Sequence, residues 1–212
     1  MNRAWMAAAM VAGLAMAGRA ESRRPQVDAL VTVFTYDRAG VPQAVMGRAK
    51  AVAAEAFATA GIQIRWVEGK RLGEPRVVAA GEVLTAVFDG PAPASFRPQD
   101  LAFTNLGGRA DADVHVFCDR IADLADTFAQ RSIGTHVSMP EFLGNVLAHE
   151  LTHALEGVKR HSREGLMKAE WNAGDIAGMV YGPLALAAED LELLRAHFKR
   201  EMSPAPALVA AR

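Results

Sequence analysis

The pattern of hydrophobic and polar positions predicts a β-α-β unit in the first third of the chain. Residues 28–36 are rich in β-branched and aromatic side chains, and residues 62–67 alternate between apolar and polar, so both segments are predicted strands. Residues 43–60 lie between them, are alanine-rich with helical periodicity, and end at Gly61. This order predicts parallel strands joined by a right-handed crossover.

Shorter apolar stretches continue the sheet. Residues 83–88 and 113–118 are predicted strands, residues 133–137 form a brief β-prone segment, and residues 120–129 predict a short helix. Residues 91–98 contain prolines without a clear period and predict a loop. The chain is therefore expected to be an α+β domain with a small mixed β-sheet.

The strongest helical pattern lies in residues 142–156. Apolar side chains recur on one face, at Leu143, Leu147, Leu151 and Ala154. Residues 138–141 have the form of a capping box with a proline in the first turn, and Gly157 is a natural stop. Residues 168–181 are expected to be partly helical, with Trp171 anchoring them to the core, and residues 187–201 predict a C-terminal helix.

The helix over residues 142–156 carries a HExxH motif at residues 149–153. His149 and His153 are four residues apart, so both imidazoles leave the same helix face about one turn apart, which suits two ligands of one zinc ion. Glu150 lies one residue round the helix, where a carboxylate can reach a zinc-bound water and act as general base. The motif therefore predicts a zinc hydrolase site.

A catalytic zinc needs a third protein ligand and one open position. His161 is the preferred candidate, because the turn at Gly157 brings the chain back towards His153. Three acidic residues remain as alternatives: Glu164, Glu170 and Asp175.

At these residues the chain resembles a metzincin-type zinc peptidase. The metzincin pattern is HExxHxxGxxH followed by a methionine turn. Here the pattern is HExxHxxxGxxxH over residues 149–161, followed by Gly165-Leu166-Met167, and it is also similar to short exported bacterial HExxH proteins. One extra residue lies on each side of the glycine, and no tyrosine follows Met167 closely.

The resemblance implies a metzincin-like (zincin) fold with His149, His153 and His161 as zinc ligands, Glu150 as catalytic base and Met167 as the turn methionine. It also implies an edge strand that lines the cleft and pairs with the substrate backbone. That role would fall to a strand near residues 113–118 or 133–137. Tyr181 is a lesser candidate for contact with an oxyanion, and packing is the preferred interpretation of this residue.

Composition excludes some classes of partner. The chain has 212 residues and a net charge of −1, and its basic residues do not cluster, so nucleic acid is not an expected partner. Cys118 is the only cysteine, which excludes an internal disulfide, and its apolar surroundings predict a buried side chain.

The chain is predicted to be exported. Residues 1–20 combine a short basic start with an apolar run too short to span a bilayer, and cleavage is expected after Ala17 or Ala20. Residues 21–202 would form one metallopeptidase-like domain, and residues 203–212 a disordered tail. The mature protein would be secreted or periplasmic, without stable membrane insertion.

These observations lead to a hypothesis of a zinc metallopeptidase acting on a peptide or protein substrate, with Zn²⁺ as cofactor. Two alternatives remain: a non-catalytic zinc-binding or interaction protein on the same fold, and a zinc hydrolase of a non-peptide amide. A fourth protein ligand or a blocked cleft would favour the non-catalytic alternative. The HExxH motif specifies the metal and the base but not the substrate.

Overall fold

The structure is a computed structural model that describes residues 29–69, 82–106, 112–131 and 137–202. The predicted signal peptide and the predicted tail lie outside these residues. Within them, no helix is long and apolar enough to cross a membrane.

The described residues form a five-stranded sheet with helices packed on it. The elements in chain order are β1 (Ala29–Asp37), α1 (Gln43–Ala58), β2 (Ile62–Glu68), β3 (Glu82–Asp89), β4 (Ala102–Asn105), β5 (Asp113–Phe117), α2 (Cys118–Arg131), α3 (Met139–Glu156), α4 (Ala173–Gly178), a 3₁₀ turn (Met179–Tyr181) and α5 (Ala188–Met202). The strand order is β2-β1-β3-β5-β4. Among the described strands, β4 alone is antiparallel to its neighbour.

The predicted α+β class is confirmed: a small mixed sheet, a helix that carries the motif, and C-terminal helices. β1 and β2 pair in parallel across α1, as the β-α-β pattern predicts. Strand bounds agree with the predicted ones to within one or two residues. The exception is β4, which the hydrophobic pattern did not indicate, because four residues are too few to establish an alternation.

α3 lies at the centre of the core. Its residues from 142 to 155 are all buried, because α1, α2, α5 and the sheet surround it. The closest helix contact is with α1, where Gly144 leaves no room for a side chain: a Cβ there would lie 2.6 Å from the Cβ of Val52. Gly144 therefore lets the HExxH helix pack closely against α1.

The ends of α3 agree only in part with the sequence prediction. Gly157 ends the helix in the left-handed conformation at φ 69°, as expected. The predicted capping box is wrong, because Ser138 is the N-cap residue but makes no side-chain cap hydrogen bond. Its hydroxyl donates instead to the carboxylate of Glu141, and Glu141 also accepts from Arg48 of α1 at 3.3 Å. The carboxylate of Glu141 is thus bound by Arg48 and the Ser138 hydroxyl instead of taking part in a capping box.

Candidate metal centre

The two histidines of the HExxH motif face each other on the buried side of α3. His149 is 9% exposed and His153 is 5% exposed. Burial lowers the pKa of His149 to about 3 and that of His153 to about 4, so both rings are neutral near pH 7. Their Nε2 atoms lie 3.1 Å apart.

Backbone carbonyls fix the orientation of both rings. His149 Nδ1 lies 2.9 Å from the carbonyl oxygen of Leu166, and His153 Nδ1 lies 3.0 Å from that of Val158. A carbonyl oxygen can only accept, so each Nδ1 carries the proton and donates it. In a neutral ring the Nε2 atom then has no proton and presents a lone pair.

Two unprotonated Nε2 atoms at 3.1 Å cannot hydrogen-bond to each other, because neither has a proton to donate. Their lone pairs therefore repel each other, and a cation bound by both lone pairs removes this repulsion. Metal-binding histidines also commonly donate their second ring N–H to a carbonyl, because this hydrogen bond fixes the tautomer and the ring orientation. The donor set therefore fits a metal that prefers imidazole nitrogen, such as zinc.

His161 completes the cluster. Ligand atoms of His149, His153 and His161 all lie within 4.8 Å of one another, and they form the metal-compatible group among the described residues. The ring centroid of His161 is 5.3 Å from that of His149 and 5.0 Å from that of His153. His161 is exposed, unlike the other two, so it lies on the open side of the cluster.

The acidic alternatives do not join this cluster. Asp175 is held elsewhere: it accepts from Lys168 and from the backbone N–H of Asn172 in the capping box of α4. Glu164 and Glu170 are exposed and lie outside the group of ligand atoms. The geometry thus favours His161 over these three as the third donor.

Glu150 lies beside the histidines and is held by a residue from the edge of the sheet. The hydroxyl of Thr104, on β4, lies 2.6 Å from Glu150 Oε2 and 3.0 Å from the Glu150 carbonyl oxygen. Burial raises the pKa of Glu150 to about 7, although the Thr104 hydrogen bond and the charge of Lys159 lower it. A carboxyl group with such a pKa can take up and release a proton near neutral pH.

Thr104 is a site residue that the sequence reasoning missed. It comes from β4, one of the two terminal strands of the described sheet, whereas β5 at residues 113–117 is paired on both sides. The expectation that a strand at 113–118 forms the edge beside the site is therefore wrong, and most of the other proposed segment, 133–137, lies outside the described residues. The aromatic Phe103 and the β-branched Thr104 were a weak signal of a strand there.

An open cleft of about 940 Å³ runs past the three histidines and Glu150. It is lined on the β4 side by residues 96–104 and by α2, and elsewhere by α3 and by residues 168–171. Its apolar lining includes Leu124, Phe128, Phe142, Val146 and Ile176. The site is thus accessible to a ligand larger than water.

The segment after His161 supports the histidines through its backbone. Leu166 accepts from both His149 Nδ1 and Trp171 Nε1, the latter at 3.2 Å, and the Trp171 ring lies edge-on to His149 at 5.8 Å. Met167 is 1% exposed within the core. Trp171 anchors this segment as expected, whereas a special role of the Met167 side chain stays a prediction.

Two other candidate residues lie away from this chemistry. Tyr181 is 87% exposed, so the prediction that it packs in the core is wrong, and it does not line the cleft, which leaves it no place beside an oxyanion. Cys118 is buried, and burial raises the pKa of its thiol to about 12, so it is an apolar core residue as predicted.

Comparison with known proteins shows similarity to solved structures. No protein-family model matches the chain, and no curated protein matches it. Among solved structures, the chain is similar to archaemetzincin from Methanopyrus kandleri, with 15% sequence identity and a TM-score of 0.43. The match covers 81% of this chain and 96% of that chain. A likeness of this degree carries no inference about activity.

Glu156 is a buried carboxylate at the end of α3, close to the loop that presents His161. Its side chain is 0% exposed, and Arg160 Nη2 lies 3.5 Å from Oε1. Neither carboxylate oxygen accepts a hydrogen bond in the described part of the chain. Burial raises the pKa of Glu156 to about 7, Arg160 opposes this shift, and Asp190 and Glu189 add to it.

We expect Glu156 to make the free energy of unfolding fall as the pH rises from 4.5 to about 7. In this window the folded carboxyl keeps its proton and the unfolded one has lost it, so the folded state binds more protons. Glu156→Gln is neutral at every pH. It should match the wild type at acidic pH and be more stable by about 1–3 kcal/mol above neutral pH.

Urea unfolding of the metal-free protein on both sides of this window measures the effect. Glu189→Gln is the matched control, because its side chain is 58% exposed and lies 3.4 Å from the same arginine. An equal change in the stability of Glu156→Gln at both pH values would contradict the expectation.

Proposed function

We propose that this protein is a zinc-dependent peptidase in which His149, His153 and His161 hold the metal and Glu150 is the general base. The observation that carries the proposal is the pair of Nε2 atoms 3.1 Å apart, in rings whose Nδ1 atoms each face a backbone carbonyl, with a third imidazole and a buried carboxylate beside them. A bound zinc would lower the pKa of a water molecule and polarise a carbonyl group.

Residues of this chain would transfer the protons and exclude bulk water. Thr104 holds one oxygen of Glu150, which leaves the carboxylate oriented to take a proton from a water molecule and to return it to a leaving amine. The buried positions of His149 and His153 exclude bulk water from the inner side of the site.

A peptide is the proposed substrate because β4 lines the cleft at the end of the sheet. Among the described strands β4 pairs with β5, and the edge of residues 102–104 that faces away from β5 would accept an extended chain by backbone hydrogen bonds. Such pairing would place a peptide bond alongside the histidines and Glu150, all of which line the same cleft.

An open site also distinguishes this proposal from a non-catalytic zinc protein. A structural zinc is closed by a fourth protein ligand, whereas a catalytic zinc keeps one position free. The metal-compatible group among the described residues has three histidines, one of them exposed to the cleft. This composition supports the catalytic alternative.

Metal analysis and a peptide-library digest of the purified protein test the proposal together. We expect one zinc per chain and cleavage of peptide bonds that stops after chelation and returns with added zinc. Bound zinc without any peptide cleavage would favour the non-catalytic protein or the hydrolase of a non-peptide amide. An absence of zinc after reconstitution would overturn the proposal.

We further propose that the protein acts outside the cytoplasm, on the basis of the signal-peptide pattern in residues 1–20. Intact-mass measurement of the protein recovered from the periplasm or the medium tests this, since removal of residues 1–17 or 1–20 gives distinct masses. Full-length protein retained in the cells would contradict it.

A further inference from the structure

The third histidine depends on a loop, whereas the other two depend on a helix. His149 and His153 lie on α3, which is buried over most of its length. His161 is exposed and lies four residues beyond Gly157, outside any helix or strand. Its place in the cluster is therefore determined by whatever holds the residues on either side of it.

Both neighbours of His161 are bound by one buried carboxylate. Asp190, in the first turn of α5, is 0% exposed. Its Oδ1 accepts from Ser162 Oγ at 2.6 Å and from Arg160 Nη2 at 2.5 Å. Arg160 Nη1 also donates to Ser162 Oγ at 3.1 Å, so the residues before and after His161 are joined to each other and to α5.

Helix capping accounts for the contact of only one of the two carboxylate oxygens of Asp190. Oδ2 of Asp190 accepts from the backbone N–H of Ala187 at 3.0 Å, which caps the start of α5. The other oxygen makes no contribution to the cap and carries the two loop contacts. Burial of a charged carboxylate is costly unless donors surround it, and here three donors from two separate segments do so.

The opposite side of the loop is fixed by the backbone of the segment after His161. Ser162 N donates to the Met167 carbonyl at 2.7 Å, and Ser162 forms an isolated bridge with Lys168. Ser162 is only 6% exposed. It is thus held by its side chain to α5 and by its backbone to the segment whose Leu166 carbonyl orients His149.

We propose that Asp190 is a positioning residue for the metal centre, which fixes the loop through Arg160 and Ser162 so that His161 is in place before a metal binds. The inference rests on the proposed function, because it requires that His161 binds zinc. It assigns to the C-terminal helix a role in zinc affinity, since the loop would otherwise have to be ordered at the expense of binding free energy.

Zinc affinity, measured by competition with a chromophoric chelator, tests the inference without an assay of activity. We expect Asp190→Asn to raise the Kd for zinc by about 10–100-fold, the range for residues that orient metal ligands. Ser162→Ala, which removes one of the two loop contacts, should cause a smaller rise. Glu189→Gln should leave the Kd unchanged, because it removes a charge near Arg160 but bears no hydrogen bond to Ser162.

The absorption spectrum of the cobalt-substituted protein provides a second readout. Loosening of the His161 loop should alter the visible bands of Asp190→Asn, whereas a general loss of stability would leave the spectrum of the bound form unchanged. If Asp190→Asn does not fold, Ser162→Ala decides the question. A folded Ser162→Ala variant with the wild-type zinc Kd and cobalt spectrum would overturn the inference.

His161→Ala separates this inference from the proposed function. If His161→Ala binds zinc as tightly as the wild type, the three-histidine site is wrong and the role of Asp190 fails with it. If His161→Ala binds weakly but Asp190→Asn and Ser162→Ala bind normally, the site stands and only the positioning role of Asp190 is refuted.

Discussion

Glu150→Gln should lower kcat by about 10²–10⁴-fold, the contribution typical of a general base, while leaving zinc bound. The amide has the shape of the carboxylate and can still accept from Thr104, so the variant should fold as the wild type does. It cannot take up a proton at neutral pH. Initial rates on a peptide found in the library digest, together with zinc content, measure both halves of the prediction.

Glu170→Gln is the matched control for this experiment. Glu170 lines the same cleft but is exposed and outside the metal-compatible group, so the same substitution there should leave kcat close to the wild-type value. Activity of Glu150→Gln within a few-fold of the wild type would show that another group removes the proton.

His161→Ala should weaken zinc binding by more than about 100-fold, because loss of a ligand exceeds the 10–100-fold cost of losing a residue that orients one. His149 and His153 would remain in place on α3 and retain weak binding. Chelator competition on the variant and the wild type measures the change in Kd.

Substitutions of the acidic residues near His161 complete this test. Glu164→Ala and Glu170→Ala should bind zinc like the wild type, since both residues are exposed and lie outside the cluster. Asp175→Ala should destabilise α4, which loses part of its capping box, and should leave zinc binding unchanged. Normal zinc affinity in His161→Ala with a large loss in any of these three would move the third ligand to that residue.

The extent to which the site could be predicted differs from residue to residue. His149, Glu150 and His153 follow from local spacing, because residues four apart on a helix share a face whatever surrounds them. His161 was preferred on the basis of a single glycine turn, and the structure brings it into the cluster. The cap at Ser138 failed because Glu141 pairs with Arg48, a residue 93 positions earlier in the chain.

The residues that serve the site from a distance had no local signal. Thr104 reaches Glu150 across 46 positions of sequence, and Asp190 reaches Ser162 across 28. Thr104 lies in a strand of only four residues. Asp190 lies in the first turn of a helix, where acidic residues are common. Neither pattern distinguishes a site residue from an ordinary one.

The sequence by itself determined the helix that carries the motif, the parallel β-α-β unit and the facing pair of histidines, since each depends on periodicities within a few residues. The tertiary structure alone decided that β4 is the edge strand beside the cleft, that Thr104 holds Glu150, and that α5 secures the loop of His161. These features depend on which distant segments pack together, and hydrophobic periodicity specifies the buried face of an element but not its neighbour.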